Sequence, residues 1–119
     1  MRRKHHDLQV WQLAIRLVKG VYQVTTSFPA AEMYGLSAQM RRSAVSIPSN
    51  IAEGAARNTT KEFLHFLGIA RGSLRELETQ IAIARELGFI VDSESIEKLI
   101  DDVFGLLGGL INSLRAKEQ

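Results

Sequence analysis

Leu8-Gln9-Val10-Trp11-Gln12-Leu13-Ala14-Ile15-Arg16-Leu17-Val18-Lys19-Gly20-Val21-Tyr22-Gln23-Val24-Thr25-Thr26 has the pattern of a helix. Gln9, Gln12, Arg16, Lys19, Gln23 and Thr26 recur every third or fourth residue, which lines them up as one narrow polar stripe. Two apolar rows flank the stripe: Leu8, Trp11, Ile15, Val18 and Tyr22, and Val10, Ala14, Leu17, Val21 and Val24. A helix on the outside of a lone bundle shows an apolar arc a little over 100° wide. This one is apolar over more than half its circumference and needs extra cover. Trp11 is expected to be largely buried, and Val10, Leu17, Val21 and Val24 are expected to form a homo-oligomer interface.

Outward from this segment the same period recurs three more times. Pro29 ends the first helix at about residue 26, because it disfavours helical geometry in the residue before it. A second helix is expected over 36–56, with Leu36, Met40, Ala44, Ile47, Ile51 and Ala55 inward and a kink at Pro48. Pro48 frees the carbonyl of Ala44, and Ser46, Ser49 and Asn50 stand close enough to re-satisfy loose backbone groups. Thr59-Thr60-Lys61-Glu62 reads as a capping box opening a third helix over 60–87, and Gly88 reads as its left-handed stop. Asp92 or Ser93 caps a fourth helix over 93–115, whose inward row is Ile96, Leu99, Val103, Leu106, Leu110 and Leu114. Short connections make consecutive helices antiparallel. The expected fold is all-α: one domain over 1–119, an up-down-up-down four-helix bundle.

Composition narrows the function classes. The 119 residues include no Cys, which excludes a disulfide framework, a thiol nucleophile and Cys-based metal sites. Hydrophobic residues make up 45% and charged ones 24%, an ordinary globular balance. The longest apolar run, Val103 to Ile111, holds three glycines and falls far short of the ~20 residues that span a bilayer. Asp7, Gln9 and Gln12 interrupt the place where a signal sequence would turn apolar, so a cytoplasmic protein with no export signal and no membrane partner is expected. The net charge of +2 hides an asymmetry: residues 1–60 carry eight Lys/Arg against three Asp/Glu, whereas residues 61–119 carry seven against ten. Arg2, Arg3, Lys4, Arg16, Lys19, Arg41, Arg42 and Arg57 are therefore the candidate phosphate-binding set for RNA or DNA. No stacking aromatics alternate with them, so contact would follow charge and shape, not base identity. The competing role for these charges is ordinary ion pairing, with Glu53 and Arg57 placed to pair at i and i+4.

No catalytic constellation is visible. Glu62-Phe63-Leu64-His65 has the Glu-x-x-His spacing of a di-iron bundle, but that site needs a second copy and two more inward glutamates. No second copy exists, so His65 is expected at the surface. His5 and His6 are adjacent and share no helical face. No enzyme activity, metal or cofactor is expected. Gly68/Gly72 and Gly105/Gly109 sit at i and i+4 and suggest close helix contact, since each mid-helix Gly otherwise costs about 1 kcal/mol.

The segment Arg41-Arg42-Ser43-Ala44-Val45-Ser46-Ile47-Pro48-Ser49-Asn50-Ile51-Ala52-Glu53-Gly54 is less generic. With Ala70-Arg71-Gly72-Ser73-Leu74-Arg75-Glu76-Leu77-Glu78-Thr79 and Asp7-Leu8-Gln9-Val10-Trp11, it resembles the bacterial four helix bundle protein family. Members are also called 23S rRNA intervening-sequence proteins, because some are encoded in insertions within that rRNA. The resemblance covers about residues 5–115, without a major departure from the pattern. It implies a bundle that assembles into a ring, commonly five-fold. It also implies kinship with the accessory subunit of diversity-generating retroelements, a basic nucleic-acid-binding partner of a reverse transcriptase. A reverse transcriptase is thus an expected partner where one is encoded beside this chain. The family offers no catalytic residues to carry over. The alternative function is a structural or protein-interaction ring, in which Arg16 and Lys19 of one subunit meet Glu94, Glu97, Asp101 and Asp102 of another.

Overall fold

The computed structural model describes residues 3–118, the Asp7 side chain excepted. A 3-10 turn over Lys4–Asp7 precedes four helices: α1 (Gln9–Thr25), α2 (Leu36–Ala55), α3 (Thr60–Glu86) and α4 (Glu94–Glu118). A second 3-10 turn, Ala30–Glu32, lies between α1 and α2. No strand occurs among the described residues, and no helix there is long and apolar enough to cross a membrane.

Local chemistry sets the ends of α3. The Thr59 hydroxyl accepts from the Glu62 N–H at 3.1 Å and donates to its carboxylate at 3.0 Å. At the other end Gly88 takes φ +77°. Its N–H reaches the Arg85 carbonyl while the Phe89 N–H reaches that of Ala84, so the last carbonyls are satisfied as a Schellman motif requires. At the start of α4 the Asp92 carboxylate accepts from the Glu94 N–H, and the buried Ser93 hydroxyl donates to Glu97.

α2 continues unbroken through the buried Pro48. Ser49 donates to the Val45 carbonyl at 2.7 Å and Asn50 to that of Ser46 at 2.8 Å. These carbonyls follow the one Pro48 frees, so the two side chains reinforce the adjoining turn rather than replace the lost bond.

α2 packs on α1 and α3, and α4 packs on the same two helices. The core between them includes Leu17, Val21, Met40, Ile47, Ile51, Leu67, Leu74, Leu77, Val103 and Leu107. Contacts run in opposite chain order along neighbours. Thr25 meets Arg41, while the turn before α1 meets the last residues of α2. Arg85 meets Glu97, and Arg75 meets Phe104 further along α4.

Three expectations need correction. Val10, Leu17 and Val21 are buried inside the single chain and Val24 packs half-buried against the same core, so this row is no subunit interface. Both rows of α1 are apolar, and periodicity cannot say which one faces in. The outward row is the other: Ile15 and Tyr22 are 44% and 43% exposed, and Trp11 and Val18 are half-buried. In α4 the buried row is Ile96, Ile100, Val103, Leu107, Ile111 and Leu114, with Leu99, Leu106 and Leu110 at its half-buried edge. A broad apolar arc leaves its centre undetermined by about one residue. Finally, Gly68, Gly72, Gly105 and Gly109 have nothing within 4 Å of where a Cβ would stand. The close approach belongs to the buried Gly54, where a Cβ would lie 2.9 Å from both Phe63 Cδ1 and Phe66 Cβ. That contact lets α2 and α3 pack tightly.

Candidate functional site

The seven predicted cations among the described residues do not all converge. Arg2 lies outside the described residues. Arg41, half-buried on α2, donates from Nε to Thr25 Oγ1 at 2.8 Å and stacks its guanidinium 4.4 Å from the Tyr22 ring centroid. It closes the C-terminal end of α1, where a cation is favoured by the helix dipole. Arg42 is exposed in a cleft between α2 and α3, facing Glu76 and beside the Ser46–Ser73 hydroxyl pair, 2.8 Å apart. Arg16 and Lys19 line a groove between α1 and α4 with Asp92, Ser95 and Leu99. Arg41 is committed to the fold, and Arg16, Lys19 and Arg42 each share a groove with a carboxylate.

Arg3, Lys4 and Arg57 belong together. The Arg3 backbone N–H donates to His6 Nδ1 at 2.9 Å, which closes the 3-10 turn upon itself. Gln12 Nε2 donates to the His6 carbonyl at 2.8 Å and ties the turn to α1. Trp11 backs it, with its ring centroid 4.9 Å from that of His5 and 5.4 Å from that of His6. Arg3, Lys4 and His5 then face Ser49, Ala52, Glu53 and Ala56 of α2 across a cleft of about 510 Å³. Arg57 holds Glu53 at 2.6 Å, the expected i, i+4 pair, and lies 4.8 Å over the Phe66 ring. His5 has its pKa lowered from the usual imidazole value, first by desolvation and then by the neighbouring charges of His6 and Arg3.

Three cations missed in the sequence join this end. Lys61 is exposed in the first turn of α3, beside the loop that carries Arg57. α4 runs back along α3 from the Arg85–Glu97 pair through Arg75–Phe104. At the same rise per residue its last turn, with exposed Arg115 and Lys117, ends level with the start of α3. These residues sit in the half of the sequence whose net charge is negative, so a linear tally hides them. A signal existed: Lys61 opens the third helix and Arg115 and Lys117 close the fourth, and antiparallel neighbours share those ends.

Several other carboxylates are engaged within the chain. Glu97 meets Arg85 at 3.6 Å and Lys98 meets Asp102 at 2.9 Å, so two members of the acidic face expected to meet Arg16 and Lys19 of another subunit are engaged within the chain. The Glu62 carboxylate accepts from Thr59, and His65 is exposed with its ring edge-on to Phe66. The two therefore point to no shared ligand.

A comparison with curated proteins finds no match. The family described as 23S rRNA-intervening sequence protein matches residues 6–109, a span from the His5–His6–Trp11 cluster well into α4. With an all-helical fold of four helices and a family match over most of its length, this chain belongs to the 23S rRNA-intervening sequence protein family.

Proposed function

We propose that this chain is a non-enzymatic accessory protein that binds nucleic acid by charge, as a homo-oligomer, without reading base identity. The supporting observation is the end where Arg3, Lys4, Arg57, Lys61, Arg115 and Lys117 gather against Glu53, Glu62 and Glu118, with Glu53 already held by Arg57. Phosphate contacts made by such cations supply affinity with no sequence information. Among the described residues no exposed Phe, Tyr or Trp ring interleaves them, which argues against extended base stacking.

Self-association rests on a different surface. Ile15, Tyr22 and Val45 are each more than two-fifths exposed on the outer side of the α1–α2 pair, flanked by half-buried Trp11 and Val18. A second copy covering this stripe would remove apolar area from water, and closed ring symmetry would repeat each basic end around an axis. A five-fold ring, as the resemblance implies, turns six cations into a continuous track. Fluorescence anisotropy with labelled RNA and DNA tests this: Lys61→Glu with Arg115→Glu should weaken binding, while Arg41→Glu should lower stability instead.

A further inference from the structure

We propose that the cleft between the Lys4–Asp7 turn, with Arg3 before it, and the last turns of α2 is an anion subsite for one phosphate group, coupled to a proton on His5. The inference deepens the nucleic-acid reading by naming where a backbone phosphate sits. Three observations carry it. The cleft, about 510 Å³, is large enough for a phosphate with its sugar. One wall supplies Arg3, Lys4 and His5. The carboxylate opposite, Glu53, is neutralised by Arg57 at 2.6 Å, so among the described side chains the balance of charge lining the cleft is positive. α1 adds only the uncharged Trp11 and Gln12 to the turn, and His6 is occupied in accepting from the Arg3 N–H. Among the described residues lining the cleft, His5 is the group whose ordinary pKa is near neutral.

The coupling has a definite sign. Desolvation first, and then the neighbouring His6 and Arg3, hold His5 below its ordinary pKa of 6.5. A bound anion reverses the charge balance and favours imidazolium. Binding therefore takes up a proton, and anion affinity rises as pH falls through the His5 range. Trp11, the only tryptophan, reports this directly, because its ring lies 4.9 Å from His5 and protonated imidazole quenches indole emission.

The experiment titrates Trp11 emission against pH in chloride, in sulfate at matched ionic strength, and with a short oligothymidylate. Sulfate and a phosphodiester keep constant charge over this range, so any shift belongs to the protein. The expected result is a quenching midpoint moved to higher pH by both anions relative to chloride, with the shift lost in His5→Gln. Arg3→Ala with Lys4→Ala should weaken sulfate binding about tenfold or more, the scale of losing charge-assisted contacts. Equal midpoints in chloride, sulfate and oligothymidylate overturn the subsite. Oligothymidylate that binds by anisotropy without moving the midpoint also overturns it, and leaves the nucleic-acid reading standing. A shift with sulfate but no oligothymidylate binding supports the subsite and removes nucleic acid as its ligand.

Discussion

Arg41 lies over the Tyr22 ring, 4.4 Å from its centroid, and binds the last turn of α1 to the second turn of α2. Its Nε also satisfies the buried Thr25 hydroxyl, which itself donates to the Val21 carbonyl. Arg41→Ala is expected to lower stability by about 1–2 kcal/mol through these lost contacts. Nucleic-acid affinity of the folded variant should be unchanged. Urea unfolding paired with anisotropy checks both halves of the expectation.

Glycines divide by location. Gly54→Ala drives a methyl into Phe63 and Phe66 and should destabilise by about 1–3 kcal/mol, since both rings are set between helices. Gly68→Ala meets open space on an exposed helix face and should stabilise by about 0.5–1 kcal/mol. Thermal melts of the two variants should therefore move in opposite directions.

Substitutions on the two rows of α1 separate folding from assembly. Leu17 is fully buried, so Leu17→Asp places an unpaired carboxylate in the core and should abolish folding. Ile15 is 44% exposed, and Ile15→Asp should keep the helical circular dichroism spectrum while dissociating the oligomer. Light scattering that gives a monomer mass for the wild type would remove self-association altogether.

Helix number, ends and caps were legible because they depend on neighbours in sequence. Thr59, Glu62 and Gly88 act through hydrogen bonds and backbone angles only a few residues long. Which way α1 turns was not legible, since Leu17 and Ile15 are equally apolar and only the surrounding helices choose between them. The close approach at Gly54 was equally hidden, for it depends on two phenylalanines across a loop. The basic end was half legible: Arg3, Lys4 and Arg57 were read from the chain, but Lys61, Arg115 and Lys117 lie in an acidic half and join them only through packing.

Anisotropy of labelled duplex over a salt series tests the central claim most directly. If the basic end neutralises about six phosphates, log K should fall with log[salt] at a slope near −5, and Lys61→Glu with Arg115→Glu should flatten it by about 2. Absence of wild-type binding to RNA or DNA at about 50 mM salt, or an unchanged slope in the well-folded double variant, would contradict the account.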